Sequence, residues 1–213
     1  MKDSIYIFYS LKSRWLNCML SVFLTAFGVA MAILITQFSN NIQNRLTNDG
    51  RGIDIVIGAK GSPLQIVLSS IYHVDIPTGN VPLNTVGKFI NHPQVKLAIP
   101  LALGDSWRGN RIVGTTKEYL DHYEAEIANG RYWESEYEVV VGSLVNLKIN
   151  AEFLGSHGLY DGGKEHQEHK YKVVGVMHPT GSVLDRLILT DLNSVLEMHD
   201  HEKVDLNNFN SIK

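Results

Sequence analysis

From Cys18 to Phe38 the chain reads CMLSVFLTAFGVAMAILITQF, 21 residues without a charge. A bilayer core needs about 20 apolar residues at helical rise, so this run predicts one membrane-spanning helix over residues 17–38. Ile33-Leu34-Ile35 extends the run past Ala30-Met31-Ala32. It is longer than the apolar core of a cleaved signal, about 7–15 residues, and an uncleaved anchor is expected. Ahead of it, Ile5, Phe8, Leu11 and Trp15 recur at helical spacing, so residues 1–16 predict an amphipathic segment on the membrane surface. Behind it, residues 39–50 turn polar, with Ile42 and Leu46 four apart. They predict a stalk that continues the helix until Asp49-Gly50 and Arg51-Gly52 end it.

Beyond the stalk the apolar period changes. Ile53 to Ile57 alternates and is β-branched, which predicts a strand. Ser62 and Pro63 are placed to start a helix through Tyr72, and Leu83 to Asn91 predicts another. Gln94 to Leu103 predicts a strand, Gly104-Asp105 a hairpin turn, and Ser106 to Gly114 the returning partner. Thr116 to Asn129 is expected to be partly helical. Glu138–Val141, Tyr171–Met177 and Arg186–Thr190 read as strands, and Asp191 as the cap of a last helix, Leu192–His199. Strands and short helices interleave, so the fold class expected is α+β: a transmembrane helix followed by a mixed domain over residues 51–213, in two lobes.

Composition sharpens this picture in three ways. Charged residues are only 19% of the 213, and the deficit falls between Arg14 and Arg45, where no charge occurs. Lys2, Lys12 and Arg14 precede the span against Asp3 alone, which places the N-terminus on the cytoplasmic side. The net charge of −3 speaks against a nucleic-acid binder, which carries a basic footprint. The single cysteine, Cys18, excludes an intramolecular disulfide framework.

Motifs for catalysis are missing: there is no G-x-S-x-G elbow, no H-E-x-x-H and no P-loop lysine, so no enzyme is expected. The one concentration of metal-type ligands runs from His157 to His169, with three His and three carboxylates in 13 residues. His166 and His169 can reach one ion, and the intervening glycines let His157 or Asp161 join them. Imidazole and carboxylate suit zinc, so His157, Asp161, His166 and His169 are the candidate metal ligands and zinc the candidate cofactor. A solvated polar loop accounts for the same residues. Asp185 and Arg186 are expected to form ion pairs or hydrogen bonds with partners the sequence does not name.

Several stretches carry a resemblance. They are Ile53–Gln65 (IDIVIGAKGSPLQ), Tyr72–Asn80 (YHVDIPTGN), Arg111–Thr116 (RIVGTT), Tyr171–Val176, and Pro179–Leu187 (PTGSVLDRL). Together they resemble the N-terminal half of MacB/FtsX/LolC-E-like (type VII) ABC transporter permeases, and the Gly155–His169 segment is similar to one found in a bacterial subgroup. The resemblance implies four spans with a periplasmic core domain between the first and second, built of a porter-like lobe and a variable second lobe. It implies a bacterial inner-membrane location, a separate cytoplasmic ABC ATPase as partner, and a homodimer or heterodimer of permeases in contact with lipid. On that pattern the chain is expected to end before three further spans. Val141–Asn150 also leaves little room for a helix that the pattern places there.

The function expected is therefore a permease subunit, or a fragment of one, that couples a partner's ATP hydrolysis to periplasmic movement for export or for lipoprotein- or metal-related transport. The alternative is a membrane-anchored periplasmic zinc-binding or sensor module.

Overall fold

The computed structural model describes residues 2–157 and 170–198. The chain divides at Arg45/Leu46 into two compact units. The first unit is helical. Helix α1 spans Lys2–Ser13 and α2 spans Trp15–Asp49, the latter entering the second unit with its last turn. Among the described residues, α2 is the one helix long and apolar enough to cross a membrane. Phe23, Phe27, Leu34 and Phe38 on it are all exposed. Two of its hydroxyls are satisfied along the helix: Thr25 Oγ1 donates to the Ser21 carbonyl and Thr36 Oγ1 to that of Ala32, each at 2.8 Å. In lipid there is no water to take those protons, so this back-bonding removes the cost of an unpaired hydroxyl.

The second unit is built on one mixed sheet. Its strands are β1 (Ala102–Trp107), β2 (Asn110–Thr115), β3 (Ile127–Gly130), β4 (Glu138–Val141), β5 (Glu152–Phe153), β6 (Ser156–His157), β7 (Tyr171–Met177) and β8 (Ile188–Asp191). The order is β3-β7-β4-β8-β2-β1-β6, and β5 pairs with the end of β7 that β3 leaves open. β2–β8 and β4–β7 are parallel, and the other pairs are antiparallel.

Both faces of the central strands are buried. Val139 and Val141 of β4 join one core with Ile112, Ile188, Val173 and Tyr171. Val140 faces the other, with Val113, Leu189 and Met177. A strand covered on two sides reads as a continuous apolar run, which is why Glu138–Val141 and Tyr171–Met177 were visible in the sequence. Helix α6 (Leu192–Met198) covers the first face, where the Val195 side chain approaches Gly114. Helix α5 (Lys117–His122) supplies Tyr119 and Leu120 to the second. Asp191 caps α6 as expected, its Oδ1 accepting from Asn193 N at 2.9 Å.

Ile53–Ile57 belongs to no strand among the described residues, and Ile55 is 76% exposed. Alternation marks a chain that fits a sheet, but only a neighbour supplying the ladder makes it a strand. Gln94 lies in a turn that the Val95 N to His92 carbonyl bond closes, residues 95–101 belong to no strand, and the strand begins only at Ala102. The hairpin turn is Arg108-Gly109, with φ of 47° and 79°, while Gly104-Asp105 lies within β1 where the register shifts. Two consecutive positive-φ residues define the turn whose twist matches a tight hairpin, and a glycine meets the second of them at no steric cost. The shift at Gly104-Asp105 is a bulge, which uses the same residue types as a turn.

Two short helices precede the sheet: α3 at Pro63–Ser70 and α4 at Leu83–Ile90. Pro63 takes the first helical position as expected, but the Ser62 side chain makes no cap hydrogen bond. Thr116–Asn129, expected to be partly helical, is helical over Lys117–His122, and β3 begins at Ile127. The first part of Arg186–Thr190 is instead the end of a 3-10 turn, Val183–Arg186.

Candidate functional site

The polar chemistry of the second unit concentrates where the last turn of α2 enters it. Asp49 is the buried residue of that helix, 4% exposed. A carboxylate at a helix C-terminus meets the negative end of the helix dipole and is unfavourable there. Arg186 answers it: its Nη2 donates to Asp49 Oδ2 at 2.6 Å and reaches the Tyr72 carbonyl at 3.4 Å. The Asp49 carbonyl, one of the orphan acceptors of a helix end, takes a hydrogen bond from Tyr123 Oη at 2.6 Å. One residue earlier, Asn48 Nδ2 donates to the Gly181 carbonyl at 3.3 Å.

Arg186 is placed by the turn that precedes it. Asp185 Oδ1 accepts from Thr180 N at 2.7 Å and from Thr180 Oγ1 at 3.0 Å, and Oδ2 accepts from Gly181 N at 2.8 Å. Thr180 Oγ1 and Ser182 Oγ are 2.7 Å apart, and Ser182 Oγ accepts from Leu184 N. The Pro-Thr-Gly-Ser stretch is thus wound around one carboxylate. Gly142 packs directly beneath: its N donates to the Leu187 carbonyl at 2.9 Å, and a Cβ there would collide with the Leu184 and Asp185 backbone.

A line of rings extends from the Asp49 contact into the core. Tyr123 and Tyr119 stand edge to face at 5.4 Å, and the Tyr119 hydroxyl lies 3.0 Å from His73 Nε2. Burial holds all three neutral. The His73 imidazole is pushed down to about 3, first by burial and then by the Arg111 and Arg186 charges. Burial raises the Tyr123 phenol to about 12, and it also pushes the Tyr119 phenol well up. His73 has φ of 54°. At the rim, His122 Nε2 lies 2.8 Å from the Arg51 carbonyl, and Arg51 meets Glu124 at 3.7 Å in an exposed pair of little energetic weight.

Of the candidate metal ligands, His157 ends β6, opposite Asp105 in the register. Asp161, His166 and His169 lie outside the described residues. Among the described residues no group of three or more His, Cys, Asp or Glu is placed to hold an ion. The expected stalk residues Ser39 to Asn48 are all helical, and Ile5 falls in α1 while Trp15 begins α2. In the sequence Asp49 marks a helix stop and Arg186 has no named partner. The available signal was a buried-type motif, an acid at a helix end and an Asp-Arg pair in an apolar stretch, but nothing linear joins positions 137 apart.

The family model described as MacB-like periplasmic core domain matches residues 18–209. Among solved structures, the periplasmic region of MacB from Actinobacillus actinomycetemcomitans is similar at 13% identity and a TM-score of 0.41, over 70% of this chain and 68% of that one. The extracellular domain of the noncanonic ABC-type transporter YknZ from Gram-positive bacteria is similar at 12% identity and a TM-score of 0.37, over 56% of this chain and 67% of that one. No curated protein sequence matches the chain.

Proposed function

The chain belongs to the MacB-like periplasmic core domain family, and on that premise we propose that it acts as a permease component of a MacB/FtsX-like ABC transporter. A separate cytoplasmic ATPase hydrolyses ATP, and this chain converts that event into movement of the domain outside the inner membrane. The N-terminus is cytoplasmic, the domain is periplasmic, and the permease works as a homodimer or heterodimer. The chain itself is not an enzyme, and its output is export or lipoprotein- or metal-related transport.

The observation that carries the reading is the fixing of the α2 end. Asp49, through its side chain and its carbonyl, and Asn48 are bonded to Arg186, Tyr123 and Gly181 of the domain. A helix end held at three points passes on a displacement that a flexible linker would absorb. The test is affinity purification of the full chain from native membranes. Recovery of a P-loop ATPase whose turnover falls when Arg186→Ala is present supports the coupling role. Recovery without any ATPase overturns it.

A second reading, a membrane-anchored zinc-binding module, is favoured by the register that sets His157 across from buried Asp105. It expects zinc binding by the full chain that is lost in the His166→Ala/His169→Ala variant. Binding no tighter than millimolar, or unchanged in that variant, sinks it.

A further inference from the structure

Asp105 lies on β1 and is 1% exposed, and Tyr171 on β7 is fully buried. β1 and β7 are not neighbours in the sheet, yet the two side chains meet at Gly155, which is itself buried. The point that a Cβ on Gly155 would take is 3.4 Å from Asp105 Oδ2, 3.2 Å from Tyr171 Cε2 and 3.3 Å from Ile112 Cδ1. A glycine here leaves that space to the carboxylate and the ring. Cε2 adjoins the carbon that bears the Tyr171 hydroxyl, and that hydroxyl has no hydrogen-bond partner among the described residues.

Two residues after Gly155 comes His157, the register partner of Asp105 across β1 and β6. Positions directly opposite in an antiparallel pair share a face, with Cβ atoms about 5 Å apart. β6 ends the strand order, so the pair sits at the rim of the sheet and not in its middle. One carboxylate and one imidazole suit zinc, whereas calcium and magnesium favour sets of oxygen alone. A carboxylate bound to zinc through one oxygen keeps a second, and side chains around a metal hold such oxygens with hydrogen bonds. The orphaned Tyr171 hydroxyl is a donor of that kind, beside the same small space.

We propose that Asp105 and His157 are zinc ligands, with Tyr171 as the positioning residue that donates to the Asp105 carboxylate. The proposal rests on the zinc reading and adds to it a ligand from β1, outside the Gly155–His169 segment. The test uses the full chain in detergent micelles, stripped of metal. Cobalt is the optical probe of ligand geometry, and zinc affinity is read from its displacement of cobalt. The wild-type chain is expected to bind zinc tighter than millimolar and to melt at a higher temperature with it. Tyr171→Phe keeps the ring stacked on Phe153 at 5.6 Å and is expected to weaken zinc about 10–100-fold, the cost of losing a hydrogen bond to a ligand. Asp105→Asn and His157→Gln remove ligands and are expected to weaken it further, with a changed cobalt spectrum. Melting without metal identifies a variant that fails to fold, and the folded variants then decide. No zinc binding by the wild-type chain ends the zinc reading and this assignment together. Binding that His166→Ala/His169→Ala abolishes, but that the folded variants at Asp105, His157 and Tyr171 leave unchanged, keeps the zinc reading and overturns this assignment. A plain Asp105–His157 ion pair overturns it too: its variants melt lower without metal and keep the wild-type zinc affinity.

Discussion

Asp49 and Arg186 stand 137 positions apart in sequence, yet their side chains meet at 2.6 Å. The pair is asymmetric, with the carboxylate side chain 5% exposed and the guanidinium 37%. The burial is therefore the acid's, and the arginine's outer half keeps contact with water. Removing the arginine strands a buried negative charge at the wrong end of a helix dipole, whereas removing both charges strands nothing.

A double-mutant cycle separates those cases. Arg186→Met is expected to lower stability by about 1–3 kcal/mol, below the full cost of breaking a buried pair because the guanidinium is partly solvated. Asp49→Asn is expected to cost less, since it removes the charge and keeps an acceptor. The double variant is expected to recover part of the Arg186→Met loss. Denaturant unfolding of the full chain in micelles reads all three, and strictly additive losses would contradict the pairing.

Tyr123→Phe removes the hydroxyl that donates to the Asp49 carbonyl. The ring packing against Tyr119 stays. A loss of about 1 kcal/mol is expected, the worth of one hydrogen bond at a helix end. Amide exchange at Gly50, whose N bonds to the Leu46 carbonyl, should speed up in the same variant, while exchange in β4 and β7 stays constant.

The folded state holds His73 neutral down to about pH 3, whereas the unfolded chain protonates it near its ordinary value of about 6.5. Between those values the unfolded state binds the extra proton, so stability is fully present above about pH 6.5 and falls as pH drops toward 3. The limiting slope is about 1.4 kcal/mol per pH unit for one group. Glu138 accepts from both Nη1 and Nη2 of Arg131, at 2.7 and 2.6 Å, which holds its carboxyl down to about 2, so it adds its own loss only as pH falls from its ordinary value of 4.5 toward 2. The window from pH 6.5 to 5 therefore isolates the histidine. In His73→Gln the slope there should disappear, and a wild-type profile flat across that window would count against the buried neutral imidazole.

Gly142→Ala inserts a Cβ against the Leu184 and Asp185 backbone. Backbone cannot rotate aside as a side-chain tip does, so the Val183–Arg186 turn must shift. A loss of about 1–3 kcal/mol is expected, as for overpacking in a close-packed interior. If the turn sets the Arg186 position, Gly142→Ala combined with Arg186→Met should cost less than the sum of the two changes. Full additivity would mean that the turn and the ion pair are independent.

Much of the molecule is written in local pattern. The uncharged run fixes α2 because a bilayer-length apolar helix needs no partner to be recognised. Val139–Val141 and Val173–Met177 are legible as strands because burial on both faces leaves an unbroken apolar stretch. Asp191 marks the start of α6 because capping is a contact between near neighbours. Ile53–Ile57 shows the limit of this kind of information: its alternation is as good as that of any strand in the sheet, but pairing is a property of the neighbour and not of the run. Arg108-Gly109 and Gly104-Asp105 show another, since turns and bulges draw on the same residue types and only the register tells them apart. The anchor of Asp49 on Arg186, the ring line from Tyr123 to His73, and the meeting of Asp105 with Tyr171 at Gly155 belong to tertiary structure alone. Each depends on chain segments brought together by the packing of the sheet and its flanking elements, and a hydrogen bond across 137 residues leaves no periodic trace in the sequence.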